Sequence, residues 1–324
     1  MDLSQLDKRI LREISDNGVP MDKSVLAKKL RINMATLNYA LKKLEKNRSI
    51  LGYRYRIDYR KIGLSQISWI FISVKEKSID VDTFMNSLLE IPQIHLVVCV
   101  TGEYDIVLKV FSQNIETTIN FLLDLQKKFN AQIKDSVIYF VGRTFKWHQI
   151  SMETNVERIY FDETDLSIAS YKFSNPQKSI IECSNELGIH RNTVSARWKK
   201  FVDQKMIMKK SAIINPEHFY DLGRGFNAFV FVKSESGETE KLVKLLCDVY
   251  EIHEVCIINH AFDILLVVRV ADVPSFYEFH NRLMGDKKIS SLIRSTNSVI
   301  SLHSKMRKHT YLKDLPPENF LYIK

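Results

Sequence analysis

The sequence predicts an α+β protein made of two tandem repeats, each combining a winged helix-turn-helix with a ferredoxin-like βαββαβ domain. Two pairs of similar segments indicate the duplication. IHLVVCVTGEYDIVLKV begins at Ile94, and IHEVCIINHAFDILLVV begins 158 residues later at Ile252. RINMATLNYALKKLEKNRSI begins at Arg31, and GIHRNTVSARWKKFVDQKMI begins 157 residues later at Gly188. A period this long is not that of a solenoid, so it indicates one two-domain unit fused to a diverged copy.

The hydrophobic period changes from helical spacing to alternation partway through each repeat, which predicts two domains per repeat. The chain of 324 residues is long enough for each domain to bury its own core. The predicted domains are a winged helix-turn-helix at 1–60, a βαββαβ domain at 64–150, a second, diverged winged helix-turn-helix at 160–215 and a second βαββαβ domain at 222–310.

The first 60 residues have the pattern of three short helices and a β-ribbon. Apolar residues at helical spacing from Leu3 to Ile14 predict the first helix, and Asn17-Gly18 ends it. A tight turn at Arg31-Ile32-Asn33 leads into a third helix with its leucines inward. The run ILGYRYRID from Ile50 alternates with period 2 and predicts the wing, with two arginines on its outer face.

Positive charge is concentrated in the two helix-turn-helix segments. Residues 1–60 have a net charge of +7 and residues 165–215 have +5, whereas the whole chain has +9. Such segregation favours a polyanionic partner, and a protruding third helix suits the DNA major groove. Asn and Arg side chains read base edges, while Lys and hydroxyl groups hold phosphates. The predicted DNA contacts are Asn33, Thr36, Asn38, Tyr39, Lys42, Lys43, Arg54 and Arg56 in the first segment, and Arg191, Asn192, Ser195, Arg197 and Lys199 in the second.

The second helix-turn-helix is the weaker of the two. Its turn is better formed, because Gly188 tolerates a positive φ that costs energy at Arg31. However, Trp198 and Phe201 replace leucines of the core, and Pro176 interrupts the preceding helical pattern. A degenerate copy kept for architecture therefore stays open as an alternative.

The second part of each repeat has the βαββαβ order. An open sheet with helices on one face leaves its other face uncovered, and pairing with a like sheet buries it. The predicted elements are strands at 67–75, 94–101, 103–111 and 135–142 with helices at 81–90 and 115–129, and, in the second repeat, strands at 226–233, 252–259, 262–270 and 295–302 with helices at 239–250 and 274–284.

A winged helix-turn-helix followed by βαββαβ with a TGEYD turn resembles the Lrp/AsnC (feast/famine) transcription regulators. LDKRIL, VLAKKL, LKKLEKNRSILGYRYRID and VTGEYD occur in the order of that family. The resemblance implies a DNA-binding head and a dimerising domain that holds an effector, such as an amino acid, near its glycine turn. A homodimer or a single-chain pseudo-dimer through the βαββαβ domains is expected. The expected effector residues are Thr101, Gly102 and Asp105.

Gly102 allows the backbone to approach a ligand closely, and Asp105 can accept hydrogen bonds from an amine. The second repeat departs from the family here, because Asn259-His260-Ala261-Phe262-Asp263 has no glycine. A ligand is therefore expected in the first repeat only. Ala40 also departs from the arginine that the family usually has in the third helix, whereas Arg197 preserves it.

The sequence thus predicts a regulator that binds specific double-stranded DNA and is not an enzyme. No catalytic residue, metal site or cofactor is expected, because phosphate-loop, nucleophile-elbow and zinc motifs are missing from the sequence. The four cysteines form no Cys-x-x-Cys pair, and no apolar run reaches the ~20 residues of a membrane span, so a cytoplasmic protein without a membrane partner is expected.

Two alternatives stay open. Siroheme decarboxylases share this architecture and need histidines and arginines that line a tetrapyrrole cleft. His95 and His253 recur at equivalent positions of the two repeats, where each flanks the start of a strand. A protein-interaction scaffold that does not bind DNA is the other alternative.

Overall fold

A computed structural model describes residues 3–20, 23–75 and 80–307. Contacts divide the chain into two compact units. The head unit contains the described residues up to Ile62 together with Arg158–Gly223. The sheet unit contains the described residues of Gly63–Glu157 together with Arg224–Arg307. Each unit therefore joins corresponding halves of the two repeats, while the four predicted domain boundaries stay predictions.

The secondary structure confirms the α+β class and the duplicated βαββαβ order. The elements of the first repeat are α1 (Gln5–Asp16), α2 (Lys23–Leu30), α3 (Met34–Lys46), β1 (Ile50–Ile57), β2 (Gln66–Val74), α4 (Val81–Leu89), β3 (Ile94–Val100), β4 (Ile106–Ser112), α5 (Ile115–Lys128), β5 (Ile133–Trp147) and β6 (Ile150–Ser151). Those of the second are α6 (Glu163–Ser174), α7 (Ile180–Leu187), α8 (Arg191–Asp203), β7 (Ile207–Ile214), β8 (Phe226–Ser234), α9 (Thr239–Cys247), β9 (Ile252–Asn259), β10 (Ile264–Val270), α10 (Val273–Gly285), α11 (Lys287–Ser290) and β11 (Ile293–Met306).

The head unit contains two three-helix bundles, α1–α3 and α6–α8. Both first helices begin with a capping box, which Ser4 forms with Asp7 and Asp162 forms with Asp165. Pro176 does not interrupt a helix, because α6 already ends at Ser174. The side chains that fill the two bundles are fully or almost fully buried: Ile10, Leu11, Ile14, Leu37 and Leu44 in the first, and Ile168, Val194, Trp198 and Phe201 in the second.

The predicted wing does not form within one repeat. Instead, β1 pairs antiparallel with β7 of the other repeat, and the two strands make a two-stranded ribbon shared by both bundles. An alternating strand specifies which of its faces is apolar but not which strand pairs with it. A register shift between Ile50 and Gly52 also turns Leu51 outward, where it is 47% exposed.

The sheet unit is one closed ring of antiparallel strands. The order is β2-β4-β3-β11-β8-β10-β9-β5, and β5 pairs with β2 to close the ring, while β6 pairs with the end of β5. The long strands β5 and β11 join the repeats. The first part of β5 pairs with β2 of its own repeat, and the last part pairs with β9 of the other repeat. In the same way, β11 pairs first with β8 and then with β3. The two βαββαβ halves are thus each other's sheet partners within a single chain.

Side chains alternate across the ring. On the outer face, residues such as Ile70 and Leu108 pack against α4 and α5, and Val230 and Leu266 pack against the helices of the second repeat. On the inner face, aromatic rings from both repeats meet, with Trp69 and Phe229 centroids 5.2 Å apart and Phe71 and Phe231 centroids 5.5 Å apart. The face that the sequence left uncovered is therefore buried inside the ring.

Candidate nucleic-acid interface and effector turn

The turn between α2 and α3 is built in the same way in both repeats. Arg31 adopts φ +56° and Gly188, its counterpart, adopts φ +65°. After the turn, Asn33 caps α3 by accepting a hydrogen bond from the Thr36 amide at 2.7 Å. His190 caps α8, where its Nδ1 accepts from the Asn192 amide at 3.3 Å. The Asn33 side chain, predicted to contact DNA, is thus used by its own helix in this structure.

The outward face of α3 presents most of the predicted polar side chains. Tyr39 is 74% exposed. Lys42 is exposed, while Thr36 and Asn38 are half-buried. Leu37, Leu41 and Leu44 fill the bundle on the opposite face. The sequence pattern therefore assigned the two faces of this helix correctly.

Lys43 is held by its own bundle. Its Nζ lies 2.7 Å from Oδ2 of Asp7, a buried carboxylate at the start of α1. Burial acts to raise the pKa of Asp7, but hydrogen bonds from Lys43 and Ser4 outweigh it and hold the pKa below its ordinary value. The second repeat has the equivalent pair, in which Lys200 lies 3.3 Å from Asp165. The recurrence indicates that this pair joins the third helix to the first.

Arg197 is likewise engaged within its own bundle. Its Nη1 lies 2.6 Å from Asp162 and 3.0 Å from Asp165, both at the start of α6. Its counterpart in the first repeat is Ala40, which is buried. The other predicted contacts on α8 are exposed: Arg191, Asn192, Ser195 and Lys199.

The two predicted wing arginines lie in the shared ribbon. Arg54 is opposite Ser211 and Arg56 is opposite Lys209, and both arginines are half-buried. They are therefore less exposed than an isolated wing would leave them, because a second strand runs beside β1.

The predicted effector residues lie together at the junction of the two repeats. Gly102 has φ +109°, and a Cβ added there would meet no heavy atom within 4 Å. The Thr101 amide donates to the Ile300 carbonyl of the second repeat at 2.9 Å. Oδ2 of Asp105 accepts from the Val74 amide at 2.8 Å, so this carboxylate also holds the end of β2.

The corresponding turn of the second repeat is more fully occupied by its own side chains. Asp263 accepts hydrogen bonds from the amide and the hydroxyl of Ser234, each at 2.9 Å, and from Lys233 at 2.8 Å. Burial opposes ionisation of Asp263, yet these bonds lower its pKa below the ordinary value. The His260 ring lies 4.6 Å from that of Tyr139. The two turns thus differ in the side chains that surround their aspartates.

Comparison with known proteins identifies the family. A model described as the Lrp/AsnC ligand binding domain matches residues 69–150. The proline dehydrogenase transcriptional activator of Rhizobium radiobacter is 30% identical over 148 residues, which is 44% of this chain and 90% of the activator. This chain belongs to the Lrp/AsnC family. An uncharacterised HTH-type transcriptional regulator of Pyrococcus abyssi is 27% identical over 156 residues, 48% of this chain and 94% of that protein.

This Lrp/AsnC chain is about twice the length that those relatives cover, which fits the duplication. A solved structure with the same overall fold is that of the siroheme decarboxylase NirDL, at 12% identity and a TM-score of 0.63, with 97% of each chain covered. At that identity the likeness concerns the fold alone.

Two features are missing from the described part of this Lrp/AsnC chain. No helix there is long and apolar enough to cross a membrane. Nor do three or more His, Cys, Asp or Glu side chains gather there in a group able to hold a metal ion.

One buried pair of charges was missed in the sequence. Lys109 and Glu254 form an ion pair at 2.6 Å inside the ring, with side chains 3% and 6% exposed. The Lys109 ammonium lies 4.7 Å from the ring centroid of Trp69 and 4.9 Å from that of Trp147. The sequence did contain a sign of this pair, since each is the single Asp, Glu, Lys or Arg residue of an apolar strand (IVLKVFS and IHEVCIIN).

Proposed function

We propose that this Lrp/AsnC protein regulates transcription by binding specific double-stranded DNA with both bundles of the head unit. The observation that carries the proposal is the presence of two helix-turn-helix bundles in one unit, each exposing polar and basic residues on its third helix. The excess positive charge in these segments supports it. So do the relatives named as transcriptional regulators.

The outward-facing residues of the third helices divide into two roles. Lys42 and Lys199 occupy equivalent positions and suit phosphate contacts. Asn38, Arg191 and Asn192 have the amide and guanidinium groups that read base edges in the major groove. The half-buried Arg54 and Arg56 add positive charge to the ribbon between the bundles. Lys43 and Arg197 reach DNA only if they leave their carboxylate partners, so their proposed role is to position the third helices.

Mapping the genomic DNA that the protein binds tests this function. Fragments recovered with the full-length chain are then used to measure affinity against salt concentration. We expect log K to fall linearly with log salt. Reversal of charge at both Lys42 and Lys199 should weaken binding and flatten that dependence. An equal affinity for all fragments, or none for any, contradicts specific regulation.

We further propose that a small ligand with an amino group, such as an amino acid, binds at Thr101, Gly102 and Asp105. The open space beside Gly102 and the exposed carboxylate of Asp105 support this placement. Thermal-shift measurements across the amino acids test it. Asp105→Asn keeps an acceptor for the Val74 amide but removes the charge, so it should abolish the shift. Asp263→Asn is the matched control in the second repeat. If Asp263→Asn abolishes the shift and Asp105→Asn does not, the ligand binds in the second repeat and the proposed placement is wrong.

Two other functions are outcomes of the same experiments. The siroheme decarboxylase alternative rests on the shared fold, and a change in the visible spectrum of siroheme on adding the chain would support it over DNA binding. His95 and His253 do not by themselves favour it, since His253 is buried and the His95 ring packs against Phe111 at 5.3 Å. A scaffold function predicts neither DNA nor siroheme binding.

A further inference from the structure

The shared ribbon relates the two bundles by a local two-fold axis. β1 and β7 are equivalent strands, 157 residues apart, and they pair antiparallel. Ile50, at the start of β1, pairs with Ile214 at the end of β7, and Ile57, at the end of β1, pairs with Ile207 at the start of β7. Equivalent residues therefore exchange places across the ribbon. Reciprocal pairing of this kind is the signature of a two-fold interface. The two third helices are therefore arranged as in a symmetric dimer.

The two bundles are also tightly joined. The Tyr55 ring of β1 lies 5.0 Å from Trp198 of the second bundle. In the other direction, the Lys210 carbonyl of β7 accepts a hydrogen bond from the Val19 amide of the first. An ion pair between Lys8 and Asp221 at 2.7 Å adds a third connection. The spacing between the third helices is thus fixed by packing.

The exposed surfaces of the two third helices, α3 and α8, differ although the helices are arranged symmetrically. At the N-terminal end of the third helix, exposed Arg191 and Asn192 take the places of Met34 and Ala35. One turn later, Ala196 takes the place of Tyr39. Lys42 and Lys199, by contrast, are the same residue type at the same position. Groups suited to phosphate are kept, whereas groups suited to base edges have diverged.

We infer that this chain recognises a non-palindromic DNA site with two inverted half-sites of unlike sequence. The inference rests on the proposed DNA-binding function. Symmetric helix-turn-helix dimers read palindromes because both recognition helices are identical. Here α3 and α8 are arranged as in a dimer that binds a palindrome, but their exposed side chains differ, so the two helices read different bases. The half-site of the second bundle contains guanine or adenine opposite Arg191 and Asn192, which pair bidentately with those bases.

Selection of bound duplexes from a random library with the full-length chain tests the inference. We expect one motif with two unlike half-sites about 10 base pairs apart, or a multiple of that distance. A palindromic motif, or a single half-site, overturns the inference while leaving DNA binding intact. A library with no enriched motif rejects the proposed function instead.

A surface-transplant variant sharpens the test. Arg191→Met, Asn192→Ala, Ser195→Asn and Ala196→Tyr give the second bundle the side chains of the first, all at exposed positions. The selected motif should become closer to a palindrome, with the unchanged half-site duplicated. A motif identical to that of the parent chain shows that α8 does not read bases.

A separate observation concerns the interior of the ring, where Lys109 and Glu254 have no charged counterparts. The residues at the equivalent positions are Val267 and Leu96. If a first repeat paired with another first repeat, Lys109 would lie inside the ring without a carboxylate. If a second repeat paired with another second repeat, Glu254 would lie there without Lys109, its ion-pair partner. Either pairing separates a buried charge from the partner that it has in this structure.

We also propose that this ion pair restricts each βαββαβ half to the unlike half as its sheet partner. Complementary charges that favour one pairing and penalise the others are an established source of specificity. Only the unlike pairing brings Lys109 and Glu254 together. The restriction is independent of what the protein binds.

Charge-reversed variants of the full-length chain test this proposal. Lys109→Glu and Glu254→Lys should each lower the melting temperature by about 10 °C, because like charges then face each other inside the ring. The double variant should recover most of the loss. If both single variants melt with the parent chain, the pair has no role in pairing.

Mixing the two single variants separates specificity from simple stability. Unfolded and refolded together, they can exchange halves so that every reversed charge meets its opposite. Their melting temperature should then rise above that of either variant refolded alone. A mixture that melts like its components overturns the proposed restriction.

Discussion

The two bundles of the head unit share a frame, meaning the internal contacts and turns that hold their helices together, but they differ in their exposed surfaces. In both, a lysine of the third helix reaches a carboxylate at the start of the first helix, as Lys43 does with Asp7 and Lys200 with Asp165. In both, the turn before the third helix places a residue at positive φ. The exposed residues of α3 and α8 do not follow this similarity. The interactions that build the fold were therefore retained after duplication, whereas the surface proposed to read DNA was not.

The largest expected effect concerns the carboxylates of the frame. Asp165 holds two cations, Arg197 and Lys200, whereas Asp7 holds Lys43 alone. We expect Asp165→Ala to lower the free energy of unfolding by about 3 kcal/mol and Asp7→Ala by about 2 kcal/mol, because the ion pairs and the capping box are removed. Urea denaturation of the full-length chain measures both.

Asn variants at the same positions separate the two contributions. Asn keeps an acceptor for the N-cap amide but removes the charge. If Asp165→Asn is as stable as the parent, the two cations contribute little. A loss at Asp7 equal to or larger than that at Asp165 contradicts the ranking of the two bundles.

The periodicity of the sequence predicted most elements to within a few residues, because burial alternates with 3.6 or 2 along each of them. It did not predict the strand partners, because the alternation in ILGYRYRID is satisfied equally by a wing and by a ribbon shared with β7. Nor did it separate Lys42 from Lys43. Adjacent lysines on a polar helix face look alike until the position of Asp7 is known.

The next expected effect compares the bundles as DNA-binding surfaces. Lys42→Glu should weaken binding about tenfold, or about 1.4 kcal/mol, and reduce the salt slope by about 0.9 for each phosphate that is no longer neutralised. Lys199→Glu should weaken binding less, because the first bundle has the larger net charge. Fluorescence anisotropy at several salt concentrations measures both quantities. A greater weakening with Lys199→Glu would show that the second bundle dominates binding.

One difference between the two strands of the ribbon should make the stability of the chain depend on pH. Lys210 occupies the position equivalent to Tyr53 and lies 5.0 Å from that ring. Burial, followed by the charges of Lys172 and Lys23, lowers the pKa of Lys210 to about 8. Because the unfolded chain binds this proton more tightly, the stability of the parent rises between pH 8 and the unfolded pKa of about 10.4.

Lys210→Met removes that penalty. The variant should exceed the parent in stability by about 1–2 kcal/mol at pH 7, and the gain should vanish above pH ~10.5. Denaturation curves at pH 7, 9 and 10.5 measure the difference. Lys199→Met, at an exposed position, is the control and should show no such dependence. A gain that is constant with pH would indicate better packing rather than removal of a buried charge.

The smallest expected effect lies in the turn itself. Arg31 at φ +56° has a side chain that crowds the left-handed conformation, whereas Gly188 at φ +65° does not. Glycine loses more backbone entropy on folding, so only part of the steric difference is recovered. We expect Arg31→Gly to stabilise the chain by about 0.5–1 kcal/mol and Gly188→Arg to destabilise it by a similar amount. The chain with both exchanges should match the parent, since the bundles share one frame. If Arg31→Gly instead destabilises the chain, the Arg31 side chain makes an interaction that outweighs the strain, and the two turns are not equivalent.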